Sequence, residues 1–161
     1  MTAVRQLAAA LPAIESVLVL GAGLGSIVRV MAAKGYYPQY MLVDYDKLIL
    51  RWALEHLEDC KAQIDAVSAD AAVYMQQNAT RYDLVFIDVF NGMVVPAFVS
   101  GEPFLRQCRS SLNKGGHMVL NYIVHEPAEW ARTEQAVASV FPNYKVVQNG
   151  VNRIFIAVAG E

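Results

Sequence analysis

Short apolar runs alternate along this chain with longer stretches in which apolar residues recur every three or four positions. The runs are rich in β-branched residues and predict five strands, at residues 17–20, 40–43, 62–68, 84–87 and 117–122. The stretches between them have helical spacing. Strand–helix–strand alternation of this kind predicts right-handed crossovers, and therefore an α/β fold with a doubly wound, mostly parallel sheet.

Three of the intervening stretches carry a clear apolar stripe. Residues 46–57 place Asp46 as a helix cap and put five residues on one predicted face, namely Leu48, Ile49, Trp52, Ala53 and His56. Residues 100–112 carry a stripe made of Phe104, Leu105, Cys108 and Leu112. Residues 127–141 open on a proline, which a first helical turn accepts, and carry Trp130, Val137 and Val140. A short helix is also expected before the first strand.

The C-terminal segment YKVVQNGVNRIFIAVAG (144–160) breaks this alternation. It predicts two strands joined at Asn149-Gly150, a dipeptide that favours a tight hairpin. Together with the five earlier strands, it leads us to expect a seven-stranded, Rossmann-like sheet that is mostly parallel and ends in an antiparallel hairpin.

Composition narrows the classes of protein and partner. At 161 residues the chain fits one domain (1–161), and its 55% apolar content suits a parallel sheet buried between helices. The formal charge of −2, with scattered lysines and arginines, provides no basic surface for nucleic acid or anionic membranes. The apolar runs are too short for a bilayer span or a signal peptide. We expect a cytoplasmic protein whose Cys60 and Cys108 are reduced thiols buried in helices.

The stretch VLVLGAGLGS (17–26) combines the first strand with Gly21, Gly23 and Gly25, directly before a predicted helix. Glycines at this place let a ligand approach the backbone, and the start of the helix offers free N–H groups. The same residues are compatible with an ordinary tight turn or with a degenerate dinucleotide-binding turn. The stretch therefore predicts a nucleotide site without identifying the nucleotide.

Three aspartates follow later strands at the same predicted edge of the sheet. Asp44 ends the second strand, roughly 20 residues beyond the glycine turn, where a carboxylate can bind both ribose hydroxyls of adenosine. Asp70 can accept a hydrogen bond from the exocyclic amine of adenine, cap a helix, or do both. Asp88 ends the fourth strand and can stabilise a sulfonium cation or accept a proton from an attacking amine. Asp44 could instead be a surface acid, and Asp88 a strand-end residue that caps a loop.

The remaining ionisable side chains do not form a recognisable site. His56 lies on the predicted apolar face of its helix, and His117 begins a strand. Tyr122 and His125, at the end of the fifth strand, are candidates to reach the site. No spacing of His, Cys and Asp predicts a metal, and no serine or cysteine lies in a nucleophile-elbow context.

The glycine turn, the acids after strands two, three and four, and the terminal hairpin resemble the class I S-adenosylmethionine-dependent methyltransferase fold. Within that superfamily, MLVDYDKLILRWALEHL (41–57) and YDLVFIDVFNGMVVPAFVSGEPFLRQCRSSLNKGGHMVLN (82–121) are similar to the spermidine-synthase-like branch. The resemblance covers nearly the whole chain. It implies that S-adenosylmethionine, or its decarboxylated form, is the cofactor, with Asp88 beside the reacting sulfonium. It also implies the contacts of that cofactor, which are Gly21, Ala22, Gly23, Gly25, Asp44, Tyr45, Asp70 and Ala71.

Three departures from this branch lie on the side that recognises the amine. Polyamine synthases carry an acid inside the glycine turn, where this chain has Leu24. They carry a second acid shortly after the one that matches Asp88, where this chain has Asn91. They also begin with a small β-rich domain that helps to enclose the polyamine, whereas this sequence starts almost at the first nucleotide-binding strand. The resemblance therefore implies an intact adenosine site with altered acceptor recognition.

Taken together, the sequence favours an S-adenosylmethionine-dependent transferase, in the first place a methyltransferase that acts on a small-molecule acceptor. One alternative is a polyamine aminopropyltransferase that uses decarboxylated S-adenosylmethionine, with Asp88 as proton acceptor. Others are an NAD-dependent oxidoreductase and a non-catalytic nucleotide-binding interaction subunit. The apolar loop 89–103 is expected either to close over the substrate or to form a homodimer interface.

Overall fold

A computed structural model describes residues 2–160 and contains one seven-stranded sheet with helices on both faces. The helices are α1 (Thr2–Gln6), α2 (Ser26–Ala32), α3 (Lys47–Leu57), α4 (Ala71–Gln77), α5 (Glu102–Ser110) and α6 (Pro127–Val140). The strands are β1 (Ser16–Leu20), β2 (Gln39–Asp44), β3 (Ile64–Ser68), β4 (Tyr82–Ile87), β5 (Leu112–Ile123), β6 (Tyr144–Asn149) and β7 (Asn152–Val158). Short 3-10 turns cover Leu11–Ala13 and Ala97–Ser100.

The strands lie in the order β3-β2-β1-β4-β5-β7-β6, and β7 runs antiparallel to both of its neighbours. The other strand pairs are parallel. This is the mostly parallel Rossmann-like sheet with a terminal hairpin that the sequence predicts. Because β7 runs against β5, Asn152 at its start lies opposite Ile123 at the end of β5. The tip of the hairpin therefore reaches the carboxyl edge of the parallel strands, where ligands of such sheets bind.

Alternate residues of the central strands point into two separate apolar layers. Leu18 of β1 and Val85 of β4 belong to the layer under α4, α5 and α6. Val19 and Phe86, their neighbours in the chain, belong to the layer under α1, α2 and α3. Burial on both faces explains why these strands are almost continuously apolar.

The C-terminal hairpin is held by an aromatic cluster. The ring of Trp130 on α6 stacks on Phe155 of β7, with 4.9 Å between centroids, and contacts Tyr122 of β5 at 6.3 Å. Tyr144 of β6 packs against the same phenylalanine at 5.9 Å. Such aromatic pairs contribute beyond their buried area, so the hairpin is a fixed part of the sheet.

The apolar stripe predicted for α3 is confirmed at Ala53 but is otherwise rotated about the helix axis. The side that faces the sheet carries Leu50, Ala53 and Leu57, which are buried. The predicted residues Leu48 and Trp52 are 45% and 41% exposed, and His56 is exposed. Two overlapping apolar stripes run along this helix, and periodicity alone does not decide which of them packs. The predicted cap is confirmed, because Asp46 accepts hydrogen bonds from the N–H groups of Leu48 and Ile49.

The two cysteines differ in their surroundings. Cys108 is buried in α5, as predicted. Cys60 is only half-buried and lies beyond α3, whose last helical residue is Leu57, so the prediction of a helical, buried thiol is wrong at this position. Its N–H donates to the carbonyl oxygen of Leu57 in the turn that follows the helix. Across residues 2–160, no helix combines the length and apolarity that a membrane crossing requires.

Candidate functional site

A cavity of about 570 Å³ opens at the carboxyl edge of β1, β2 and β4. Its volume lies within the range of small-molecule sites. We call it the main cavity. It is lined by Gly21, Gly23, Val43, Asp44, Tyr45, Asp46, Ile49, Ala69, Asp70, Ala71, Asp88, Val89, Phe90, Asn91, Pro96 and Phe98.

The glycine turn forms the floor of the main cavity between β1 and β4. The N–H of Gly21 donates to the carbonyl oxygen of Val43, and its φ of +82° is a conformation that glycine adopts without strain. A β-carbon at this residue would lie only 2.3 Å from the carbonyl oxygen of Asp88, so a side chain cannot be placed there. A β-carbon at Gly23 would meet no protein atom within 4 Å. The turn thus packs tightly on the protein side at Gly21 and stays open at Gly23.

Asp44 presents its carboxylate where the glycine turn meets β2. Its Oδ2 accepts a hydrogen bond from the N–H of Gly23 at 3.3 Å, and its Oδ1 accepts from the N–H of Asp46 at 3.0 Å. These bonds fix the orientation of the carboxylate at the cavity wall, while each oxygen keeps capacity for a further donor. A pair of neighbouring hydroxyl groups is a suitable ligand for this arrangement.

Asp70 caps α4 and lines the main cavity at the same time, so both predicted uses are compatible. Its Oδ1 accepts from the N–H groups of Ala72 and Val73, at 2.8 and 3.1 Å. Both of these bonds use the same oxygen, which leaves Oδ2 for a ligand. The N–H of Ala71, in the first helical turn, has no partner within the helix. An acceptor oxygen beside a free N–H matches the edge of a purine base.

Asp88 lies immediately after β4, half-buried, at the bottom of the main cavity. Burial raises the pKa of its carboxyl group, and a hydrogen bond to Oδ1 from the Nδ2 of Asn121, at 2.8 Å, acts in the opposite direction. A partly desolvated carboxylate is suited to hold a cation or to accept a proton.

Most of the predicted site residues meet in the main cavity. Gly21, Gly23, Asp44, Tyr45, Asp70, Ala71 and Asp88 all line it. Ala22 and Gly25 do not lie on its wall, because both are buried on the protein side of the turn. Gly25 caps α2 with φ +75°, and a β-carbon there would lie 2.6 Å from Leu57. The positive φ therefore favours glycine at this position, and any larger residue would also displace the Leu57 side chain of α3.

Two candidates from the sequence are used elsewhere in the fold. The hydroxyl of Tyr122 donates to Glu129, and the Tyr122 side chain is buried away from the cavity. The Nε2 of His125 lies 2.9 Å from the carbonyl oxygen of Met93, so this histidine holds the loop 89–103. Sequence reasoning missed Asn121, whose position inside an apolar strand gives no local signal. It is the asparagine that ends the family-like segment 82–121.

The loop 89–103 covers one side of the main cavity. Phe90, Asn91 and Pro96 line the cavity, while Val95 and Val99 anchor the loop in the core. Its exposed tip includes Met93 and Val94, which are 65% and 56% exposed. The loop thus lies where it can cover a ligand in the main cavity. The homodimer through this loop remains a prediction.

The main cavity is acidic, with Asp44, Asp46, Asp70 and Asp88 on its wall. Nevertheless, residues 2–160 contain no cluster of three or more His, Cys, Asp or Glu side chains with metal-ligand geometry. The carboxylates are spread along three strand ends and point to an extended organic ligand.

Comparison with known proteins identifies the family. Over residues 17–116 the sequence matches the family described as "Methyltransferase domain". The chain belongs to this family. The matched region includes the glycine turn and all three candidate aspartates of the site.

The curated relatives are named aminopropyltransferases and not methyltransferases. A probable polyamine aminopropyl transferase of Bifidobacterium longum is 29% identical over 152 residues, which are 89% of this chain and 33% of that protein. A polyamine aminopropyltransferase of Vibrio vulnificus is 27% identical over 159 residues, which are 91% of this chain and 51% of that protein. The chain therefore spans a third to a half of the length of these two relatives.

Solved structures of a probable spermidine synthase and of a methyltransferase-like protein share the fold. A probable spermidine synthase from Corynebacterium glutamicum has a TM-score of 0.79 at 20% identity, covering 91% of this chain and 56% of that one. Human methyltransferase-like protein 13, in complex with SAH, has a TM-score of 0.76 at 22% identity, covering 89% and 71%. The Rossmann-like methyltransferase fold predicted from the sequence is confirmed.

Proposed function

We propose that this domain binds S-adenosylmethionine and transfers its methyl group to a small-molecule acceptor. The observation that carries the proposal is the half-buried Asp88 carboxylate at the bottom of a cavity whose other walls carry Asp44 and Asp70. Membership of the methyltransferase-domain family supports it.

The residues of the main cavity fit the parts of such a donor. Asp44, with one oxygen beside Gly23 and the other beside Asp46, suits the two ribose hydroxyls. The free Oδ2 of Asp70 and the N–H of Ala71 suit the amine and the adjacent ring nitrogen of adenine. The open backbone at Gly23 leaves room for the amino-acid end of the donor.

When bound, the donor supplies an electrophilic carbon attached to a positively charged sulfur. Asp88 provides the negative charge that favours this cation in a partly desolvated place. The same carboxylate can take up the proton that the acceptor loses. The rest of the rate enhancement is expected from holding both reactants in line.

Aminopropyl transfer from decarboxylated S-adenosylmethionine is the second candidate, because the curated relatives carry that name. That reaction requires the protein to hold the free amine of the transferred group. The side chain at the corresponding place in the glycine turn is Leu24, which is 49% exposed and does not line the main cavity. By the same resemblance, Asn91 stands where polyamine synthases carry their second acid. These two differences favour methyl transfer.

Calorimetric titration with S-adenosylhomocysteine, methylthioadenosine and NAD tests the binding half of the proposal. S-adenosylhomocysteine is expected to bind tightest. Asp44→Asn should weaken its binding by about 1.5–3 kcal/mol, the usual contribution of hydrogen bonds to a charged group. Asp65→Asn is the matched control, since this exposed aspartate on the adjacent strand lies outside the main cavity.

The alternatives have distinct signatures in the same titration. Tighter binding of methylthioadenosine supports aminopropyl transfer, and binding of NAD alone contradicts the proposal. For the catalytic half, donor consumption is measured with Asp88→Asn, which keeps an oxygen to accept from Asn121. We expect a loss of about 10²- to 10⁴-fold in turnover with unchanged S-adenosylhomocysteine affinity. Tight binding without any donor consumption by the native chain would instead support an interaction subunit.

A further inference from the structure

A second cavity, of about 370 Å³, lies on the α1 side of the sheet. It is lined by Thr2, Ala3, Arg5, Phe86, Asp88, Val119, Asn121, Asn149, Asn152 and Ile154. Asp88 is the one residue that this lining has in common with that of the main cavity. Asp88 therefore borders both cavities.

Three parts of the chain build the second cavity. Its floor is apolar and consists of Phe86, Val119 and Ile154, which are buried on the sheet face under α1. Helix α1 supplies Arg5 on one side. The hairpin tip, which reaches this edge of the sheet because β7 is antiparallel to β5, supplies Asn149 and Asn152.

A chain of hydrogen bonds links the hairpin tip to Asp88. The Nδ2 of Asn152 donates to the Oδ1 of Asn121 at 2.8 Å, and the Nδ2 of Asn121 donates to the Oδ1 of Asp88 at 2.8 Å. Each amide in the chain is thereby fixed in orientation, and each keeps one further N–H for a ligand. The wall beside Asp88 thus consists of neutral amides that are already aligned.

The charges of the second cavity define the kind of molecule that fits it. Of its lining residues, Arg5 is the single cation and Asp88 the single anion. Arg5 is exposed and takes part in none of the ion pairs formed by residues 2–160. A diamine would place its second ammonium group near Arg5, with no additional carboxylate to receive it. A carboxylate at the same place on the ligand would instead form an ion pair with the guanidinium group of Arg5.

We propose that the second cavity is the acceptor subsite and that it takes small molecules that carry a carboxylate as well as the nucleophile, in preference to diamines. This inference rests on the proposed function, because it assigns the two cavities that Asp88 borders to donor and acceptor. The carboxylate of the acceptor pairs with Arg5, the aligned amides bind its polar groups, and its reacting end lies beside Asp88.

Two probes with the same four-carbon chain test the proposal, namely 4-aminobutyrate and 1,4-diaminobutane. Their binding to the protein saturated with S-adenosylhomocysteine is measured by calorimetric titration. We expect 4-aminobutyrate to bind about fivefold more tightly, the size of effect that a partly exposed charge pair provides. Arg5→Gln should remove this preference, and Arg51→Gln, an exposed arginine on α3, should keep it. Since Arg5 is exposed, the variant is expected to fold.

A second pair of variants locates the probe. Asn152→Ala should weaken the binding of 4-aminobutyrate, whereas Gln148→Ala, which removes an exposed amide from the adjacent strand, should not. Equal or reversed affinity of the two probes, or binding of neither, with S-adenosylhomocysteine bound, overturns the acceptor assignment and leaves the proposed function standing. If S-adenosylhomocysteine itself does not bind, the proposed function fails and the acceptor assignment fails with it.

Discussion

At the scale of single residues, the environment of Asp88 is a balance between burial and one hydrogen bond. Burial raises the pKa of this carboxyl group, and the donor from Asn121 limits the increase. If Asp88 acts as a base, it must be deprotonated, so its pKa sets the lower pH limit of activity. Asn121 does not line the main cavity, so on the donor side it acts through its hydrogen bond to Asp88.

The first prediction concerns Asn121→Ala. Without its donor, the effect of burial on Asp88 is unopposed and the pKa of this carboxyl group rises further. The acidic limb of the pH profile of turnover should therefore move to higher pH, while the affinity for S-adenosylhomocysteine stays the same. The measurement is turnover against pH for the variant and the native chain.

Asn113→Ala is a matched control for this experiment, because Asn113 also donates its Nδ2 to an aspartate, Asp83, at 2.7 Å. It lies at the other end of β5, away from the main cavity. Its removal should leave the pH profile in place. An identical shift in both variants would show that the effect comes from loss of stability.

The pH dependence of stability provides a second prediction for Asp88. Because its pKa is higher in the folded protein than in the unfolded chain, the folded form binds the proton more tightly, and stability decreases as the pH rises through this window. Asp88→Asn removes this decrease. The difference between the unfolding midpoints, variant minus native chain, should therefore become more positive as the pH rises from acidic to neutral. Thermal unfolding at several pH values measures this difference. An unchanged difference across that range would mean that the pKa of Asp88 is the same in the folded and unfolded states, and would contradict the prediction.

At the scale of elements, the glycine turn connects two strands through backbone contact. The N–H of Asp88 donates to the carbonyl oxygen of Leu20, and Gly21 lies directly against the backbone of Asp88. The position of the candidate base is therefore set by the turn that forms the floor of the main cavity.

The third prediction compares Gly21→Ala with Gly35→Ala. Both glycines have similar positive φ values, +82° and +84°, so both substitutions carry about 1–2 kcal/mol of backbone strain. Only at Gly21 does the new β-carbon collide with backbone atoms, whereas at Gly35 no atom lies within 4 Å. Gly21→Ala should cost at least about 2 kcal/mol more in urea unfolding. It should also weaken S-adenosylhomocysteine binding. Equal costs would show that the turn relaxes away from Asp88.

How far the sequence predicts the elements depends on whether the deciding contacts are local. The cap at Asp46 and the tight hairpin near Asn149 are local, and both could be predicted. The hairpin turn lies one residue later than predicted, because Asn149 still pairs with Asn152 and the two loop residues are Gly150 and Val151. The stripe of α3 that packs on the sheet depends on which face the strands leave open. Periodicity alone therefore assigns Trp52 to the buried side, whereas it is exposed. Strand β5 begins at Leu112, five residues before the predicted start. Leu112 pairs with Tyr82 of β4, and the register between the two strands shifts before the next pair, Leu84 with His117.

The same distinction applies to the candidate site. Asp44, Asp70 and Asp88 follow strands, and parallel strands end at one edge, so their meeting could be predicted. The role of Asn121 and the existence of the second cavity could not, because they depend on how the hairpin tip and α1 meet over the sheet. Non-local contact of this kind has no pattern within a short stretch of sequence.

At the scale of the whole molecule, the two edges of the sheet have different roles. The carboxyl edge carries both cavities. At the opposite edge, Asp83 of β4 joins three strands: its Oδ2 accepts from the N–H of Glu15 and from the N–H and Oγ of Ser16, and its Oδ1 accepts from Asn113. This network holds the central strands together at a distance from the candidate site.

The last prediction separates these two roles with Asp83→Asn. Burial alone would raise the pKa of Asp83, but the hydrogen bonds from Asn113, Glu15 and Ser16 outweigh it and hold the pKa below its usual value. Its contribution to stability is therefore present above the ordinary aspartate pKa and is lost as the pH falls through the lowered value.

In urea unfolding at neutral pH, we expect Asp83→Asn to cost about 1–3 kcal/mol, and this cost should shrink in acid, where the native carboxylate is itself protonated. The affinity for S-adenosylhomocysteine should not change, because the network contacts the strands at their amino ends. Asp65→Asn, an exposed aspartate of β3, should change neither quantity. A loss of affinity in Asp83→Asn under conditions where the protein is fully folded would mean that the two edges are coupled through the sheet, and that the candidate site depends on strand positions set at the far end of β4.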